Sequence, residues 1–353
     1  MKAAVYHAPR QITIEEVPDP RVGPDDIVVR VRACGICGSD LHGYRAGLWV
    51  EPGDVMGHEW AGEVVEAGAN IQNLRVGDRV ATGSFHGPGG GWTKSIGYGL
   101  PGAYAEYVRV PDAHLPGRVG KIPDELDDDE AAILEPLRCG LHAARLANPE
   151  LNAWAVVLGV GTIGLACLQG LKLRGSCRVI AVDVSDQRLE LARQLGADIV
   201  INAHHEDTVA AVKAITGEGY YRWGAQAEGR WSLGARADIV IEAAGTPTTL
   251  LQALELVRHG GTVVQIALFE RPVSFDPTII TQKNIRLQGC AGGESFEVAA
   301  DLVRTGRARV RPFVTHHFPL DQIVEAFETQ LRPDRSGKVI VCPALKAEGG
   351  TSA

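Results

Sequence analysis

The 353-residue sequence has no basic run and no alternation of aromatic with basic residues, and its formal charge is −8. Both absences weigh against nucleic acid or an anionic membrane as the main partner, because either would ask for a concentrated positive surface. The start, Met1-Lys2-Ala3-Ala4-Val5, lacks the apolar core of a signal peptide. One stretch, Ala153 to Leu171, is long and apolar enough to suggest a membrane span, but Gly159, Gly161, Gly164 and Gly170 interrupt it. It reads better as a strand, a glycine turn and a helix. The seven cysteines are odd in number and scattered, which is no disulfide framework and suits a reducing, cytoplasmic setting. Internal repeats and low-complexity tracts are missing as well.

What remains is the composition of a soluble globular chain, 45 % apolar and 22 % charged, long enough for two domains. Up to about residue 115 the texture is all-β. Ile27–Arg32 is β-branched and partly alternating, Gly62–Gly68 is bounded by glycines, and Val76–Val80 is a turn followed by a strand. Near residue 150 the texture changes to strands alternating with helices. Strands are expected at Ala155–Leu158, Arg178–Val182, Ile199–Ile201, Asp238–Glu242 and Thr262–Ala267, with helices between them. Such alternation means a doubly wound parallel sheet, so the fold class is α/β. After about residue 290 it stops, and helices near 296–305 and 320–331 precede a last strand at Lys338–Val341.

Gly159-Val160-Gly161-Thr162-Ile163-Gly164 lies between a strand and a helix. In that context the first glycine permits the tight turn, the second lets backbone approach a pyrophosphate, and the third lets helix pack on strand. The helix N-terminus presents N–H groups to the phosphates. The next strand ends at Asp183, 19 residues beyond Gly164 and near the spacing expected for an acid that binds the adenosine ribose. A carboxylate there favours NAD over NADP. Arg188 close by blurs that preference without reversing it.

A second group of residues carries metal chemistry. Cys34-Gly35-Ile36-Cys37-Gly38-Ser39-Asp40-Leu41-His42 places thiol, hydroxyl, carboxylate and imidazole in one small loop, and Gly57-His58-Glu59 follows shortly after. A catalytic zinc takes about three protein ligands of these types and keeps one position open. With Glu135-Pro136-Leu137, the glycine fingerprint and Ser336-Gly337-Lys338-Val339-Ile340, these motifs make the chain resemble the zinc-dependent medium-chain alcohol dehydrogenases, over essentially its whole length. The Glu135 element is similar to the sorbitol and polyol branch, and threonine dehydrogenases share much of the pattern.

The resemblance implies a GroES-like, mainly β catalytic domain over 1–150, a Rossmann NAD-binding domain over 151–289, and a return to the catalytic domain over 290–353. It implies Cys37 and His58 as zinc ligands, with Glu59 or Glu135 as the third. Asp40 would orient His58, Ser39 would accept the alcohol proton, and His42 would pass it outward. Gly159, Gly161, Thr162, Ile163, Gly164, Asp183 and Arg188 would hold the cofactor. The implied reaction is NAD-linked oxidation of a secondary alcohol or polyol to a ketone, in a homodimer or homotetramer. The alternatives are threonine-like amino-alcohol oxidation, a zinc-free reductase of the same superfamily, and a non-catalytic NAD-binding redox sensor.

Two departures stand out. Many relatives hold a structural zinc with four closely spaced cysteines, but no cysteine occurs between Cys37 and Cys139, so one zinc per chain is expected. The corresponding stretch, Gly83 to Trp92, is glycine-rich and reads as a flexible loop, with His86 unassigned. Gly217 to Arg236, with Tyr220, Tyr221, Trp223 and Trp231, reads as an inserted loop suited to an intersubunit contact. By family position, Ser39, Trp49, the 83–102 loop and residues near Arg138 and Phe269 are the expected lining of the substrate pocket.

Overall fold

The computed structural model describes residues 1–83, 95–175, 177–222 and 231–345, and at 219–222 and 231–233 the backbone alone. The chain separates into two compact units, Met1–Glu135 with Ser295–Ala353, and Pro136–Glu294. The divisions fall at Glu135–Pro136 and Glu294–Ser295, whereas the texture of the sequence changes near 150 and 290. The first division lies inside a 20-residue helix, Asp128–Ala147, in a stretch between the all-β texture that ends near residue 115 and the alternation that starts near 150. Pro136 sits in its interior and has no N–H to offer the preceding turn.

The first unit is built on a seven-stranded sheet drawn from both ends of the chain. Its order is Val314–Pro319, Lys338–Cys342, Ile27–Gly35, Glu59–Ala67, Arg79–Thr82 and Val119–Lys121, with Tyr107–Val110 also paired to Ile27–Gly35. The strand Ile27–Gly35 is almost continuously apolar because both of its faces are covered, and Val29, Val31 and Cys34 lie in the core with Trp60, Tyr44 and Phe327. Cys34 is thus a packed thiol.

One local expectation is corrected here. Cys34 to His42 reads as a loop, but Gly38–Ala46 is a helix, entered through Cys37. Asp40 caps it, its Oδ2 accepting the Cys37 N–H at 2.9 Å, and Gly47 ends it in the left-handed region at φ 68°. The cap was readable, since an acid stands three residues after the entry residue.

The second unit is a six-stranded parallel sheet. Along the chain its strands are Trp154–Leu158, Arg178–Asp183, Ile199–Asn202, Ala237–Glu242, Val257–Gln265 and Arg286–Gly289, and across the sheet they run third, second, first, fourth, fifth, sixth. This is the doubly wound order whose ligands bind outside the carboxyl ends of the strands. Val156, Leu158, Ile180, Val240 and Val263 fill its core. The fifth strand starts at Val257, earlier than the expected Thr262, directly where the helix Pro247–Leu256 stops. The inserted segment is not a plain loop: Glu218–Arg222 pairs antiparallel with Trp231–Ala235. Its glycines, Gly219 opposite Gly234, hide the alternation that would have announced a hairpin.

Candidate metal centre and nucleotide site

Cys37 stands at the entry to the helix Gly38–Ala46, and Glu59 opens a strand whose first residue pairs with Gly35. That pairing brings the two motifs together. Ligand atoms of Cys37, His58 and Glu59 all lie within 4.8 Å of one another, and among the described residues this is the one such cluster of three His, Cys, Asp or Glu donors. Thiol, imidazole and carboxylate are the donors zinc takes. His58 and Glu59 are 3 % and 0 % exposed. Among the described residues Glu59 Oε1 has no hydrogen-bond partner. A buried carboxylate oxygen left so would be costly unless a cation completes it, so the donor set fits a metal ion. Glu135 is also buried, at the start of the third turn of the helix Asp128–Ala147, but falls outside the cluster of three.

The other Glu59 oxygen is held by a residue to which the sequence reading gives no role. Lys338, itself buried, donates from Nζ to Glu59 Oε2 at 2.6 Å and to the Ile36 carbonyl at 2.8 Å. Burial works against the ammonium, but Glu59 outweighs it and holds Lys338 above the usual lysine range. Gly35 makes room for this pair, since a Cβ there would lie 2.2 Å from Glu59 Oε2. Lys338 stands inside the Ser336–Ile340 motif, so the signal was present without its meaning.

Asp40 Oδ1 lies 3.4 Å from His58 Nδ1, which leaves Nε2 as the nitrogen for an ion. The Tyr104 hydroxyl donates to Asp40 Oδ2 at 2.8 Å, with the Gly35 carbonyl 3.0 Å from the same hydroxyl. Burial pushes the Asp40 carboxyl up, but His58, the Cys37 N–H and Tyr104 outweigh it and hold it below the usual range. Tyr98 packs its ring 5.0 Å from that of His58, and burial pushes its phenol well above the usual range. Tyr98 falls within the 83–102 stretch expected near the substrate, whereas Tyr104 carries no spacing signal that would have singled it out. Ser39 is buried in the first turn of the helix Gly38–Ala46, and His42, three residues on, shares its face and meets the edge of Trp49 at 5.8 Å. Ser84 to Trp92 lie outside the described residues, His86 included.

In the second unit, Gly159 has a φ of 85°, and a Cβ there would meet Ala244 at 2.8 Å. A Cβ on Gly164 would come within 1.9 Å of the Gly159 carbonyl, so this position must be glycine for the helix Thr162–Arg174 to pack. Gly161 is open, its nearest neighbour being Arg188 Nη1 at 3.7 Å. No side chain caps this helix, whose first residues are Thr162, Ile163 and Gly164, so its N–H groups stay available for an anion. Asp183 ends the next strand and accepts from Val160 N at 2.8 Å and from Val184 N and Ser185 N at 2.8 and 3.0 Å. Its carboxylate is thus fixed beside the turn. Burial draws the Arg188 guanidinium below its usual range, against the opposing effect of Asp183.

A family described as "Alcohol dehydrogenase GroES-like domain" matches residues 23–124, and one described as "Zinc-binding dehydrogenase" matches residues 162–305. An L-threonine 3-dehydrogenase of Symbiobacterium thermophilum is 36 % identical, covering 95 % of each chain. The chain belongs to the zinc-binding alcohol dehydrogenase family. A D-xylulose reductase of Saccharomyces cerevisiae is 32 % identical, covering 96 % of this chain and 97 % of that one. The crystal structure of 2R,3R-butanediol dehydrogenase from Bacillus subtilis is similar with a TM-score of 0.82 and 30 % identity, over 97 % of this chain and 99 % of that one. This dehydrogenase is therefore an oxidoreductase acting on CH–OH groups, with a Rossmann-type parallel sheet and a GroES-like β domain, as the motifs imply. Its seven cysteines are all free, and among the described residues no helix is long and apolar enough to cross a membrane.

Proposed function

We propose that this dehydrogenase oxidises a secondary alcohol or polyol to the ketone, with one zinc ion per chain and NAD as the hydride acceptor. The observation that carries the reading is the cluster of Cys37, His58 and Glu59, in which Glu59 keeps one buried oxygen without a protein partner. Cys37, His58 and Glu59 would hold the ion, and Glu135 would serve as the exchanging carboxylate. A zinc ion there supplies Lewis acidity, which eases loss of an alcohol proton near neutral pH.

The chain's own residues do the rest. Asp40 fixes the orientation of the His58 ring. Ser39 takes the alcohol proton, and His42, on the same helix face, passes it toward water. In the second unit the Gly159–Gly164 turn holds the pyrophosphate, with Thr162 and Ile163 N–H groups at the helix start. Asp183 binds the adenosine ribose hydroxyls and, by its charge, disfavours a 2′-phosphate. Asp183→Ala should therefore weaken NAD binding more than NADP binding. Equal loss for the two, measured as KM for each, would remove the ribose role.

The 36 % identical threonine dehydrogenase keeps an amino alcohol open as a second substrate class. NADH formation should be measured over secondary alcohols, polyols, cyclic alcohols and threonine, with and without a zinc chelator, beside metal analysis. Chelator-sensitive turnover of one group names the substrate class. Turnover by protein free of zinc would overturn the reading. We further propose a cytoplasmic homodimer or homotetramer with the paired strands Glu218–Arg222 and Trp231–Ala235 at a contact, which light scattering would test.

A further inference from the structure

The strand Ala237–Glu242 runs through the middle of the parallel sheet and ends at its ligand edge, pairing Glu242 with Leu158 on one side and Gln265 on the other. Ile239, Val240 and Ile241 before it are buried apolar residues, and Glu242 is buried to the same degree, 0 % exposed. An apolar side chain would suit this site better for stability alone, since burying a carboxyl costs desolvation. What the carboxyl does instead is specific. One oxygen, Oε1, accepts from Ala244 N at 3.0 Å, Gly245 N at 2.8 Å and Thr249 Oγ1 at 2.8 Å. Among the described residues the other oxygen has no hydrogen-bond partner. Burial raises this carboxyl above the usual range, against the pull of these three donors.

The three donors belong to one junction. Thr249 shares a capping box with Thr246 at the start of the helix Pro247–Leu256. Gly245 has a φ of 71° and no room for a side chain, because a Cβ would lie 2.5 Å from the Leu268 carbonyl. Ala244 is the residue a Cβ on Gly159 would strike, with its Cβ, Cα and N all within 2.9 Å. The Ala243–Gly245 turn is thus wedged between Leu268 and the first glycine of the nucleotide fingerprint, and Glu242 grips it from beneath.

We propose that Glu242 is a positioning residue for the coenzyme, its carboxyl holding the Ala243–Gly245 turn against Gly159 and so fixing the shape of the phosphate-binding turn. The proposal rests on the reading of Gly159–Gly164 as the NAD-binding turn. It assigns Glu242 no contact with the reacting atoms. Freed of this grip, Ala244 can shift, and a shift of about 1 Å is enough to spoil a cradle of backbone N–H groups.

The test compares Glu242→Leu, Glu242→Gln and wild type by NADH fluorescence titration, steady-state kinetics and thermal melting. Folded Glu242→Leu should bind NADH about tenfold more weakly and raise KM for NAD by a similar factor, with kcat changed less than about threefold. Glu242→Gln keeps an oxygen for all three donors and should stay within about threefold of wild type. A purely structural residue would lower the melting temperature and leave NADH affinity alone, and that result in Glu242→Leu overturns the proposal. So does a Gln variant as weak as the Leu variant. If Glu242→Leu does not fold, Thr249→Val removes one donor and should weaken NADH about threefold; wild-type affinity there overturns the proposal. Failure of the wild type itself to bind NADH would overturn the nucleotide reading, and this proposal with it.

Discussion

Cys37→Ala should lower turnover about a thousandfold or more while leaving the NADH dissociation constant within about twofold, because the Lewis acid is worth several kcal/mol and each 1.4 kcal/mol is tenfold in rate. The separation of the two effects follows from where the residues lie. Cys37, His58 and Glu59 belong to the unit Met1–Glu135 with Ser295–Ala353, whereas Gly159 to Arg188 belong to Pro136–Glu294. Alanine also leaves the helix Gly38–Ala46 its principal cap, since Asp40 accepts from the backbone N–H of residue 37 and not from its side chain. Folding should therefore survive. Metal analysis and steady-state rates check the expectation together. A variant that loses zinc yet keeps more than about a tenth of its turnover would show that the ion is not in the chemistry.

The second large effect is expected at Lys338. Its ammonium and the Glu59 carboxylate are 2 % and 0 % exposed and 2.6 Å apart. Lys338→Met should destabilise the metal-free protein by about 3–5 kcal/mol, the usual cost of stranding one member of a buried ion pair. Glu59→Gln with Lys338→Met should cost markedly less than Lys338→Met alone, since the stranded charge is then gone. Urea midpoints of the four proteins in this cycle measure the coupling. A coupling below about 0.5 kcal/mol would mean the pair is no more than adjacent. The single variant should also hold zinc less well, because Glu59 would no longer be fixed in place.

Much of this was legible in the sequence, for reasons that can be named. The parallel sheet announced itself because its strands are short apolar runs punctuated by glycine and separated by helix-length segments. The nucleotide turn was legible because Gly159 and Gly164 answer steric demands that only glycine meets. Cys37 and His58 stood out because thiol and imidazole in such motifs seldom meet without a metal, whereas the sequence left the third donor open between Glu59 and Glu135, and it is Glu59 that lies with the other two. Lys338 was not, since its partner is 279 residues away and no local rule links a lysine to a distant buried acid. Tyr104 and Glu242 were hidden for the same reason, each looking like an ordinary strand or turn residue until its acceptors or donors are known.

The pairing of Glu59 with Lys338 also sets an order of events during synthesis. Pro136–Glu294 is one continuous stretch, so everything it needs has left the ribosome while Ser295 onward is still being made. The other unit cannot close on that schedule. Its sheet lacks Val314–Pro319 and Lys338–Cys342, and Glu59 lacks its cation, until nearly the whole polypeptide has emerged. On the proposed reading of the two sites, the nascent chain would complete its dinucleotide-binding unit before its ion-binding one. On the same reading redox turnover would come last, with the final strand, and a chain stalled before Lys338 would bind coenzyme without turning it over.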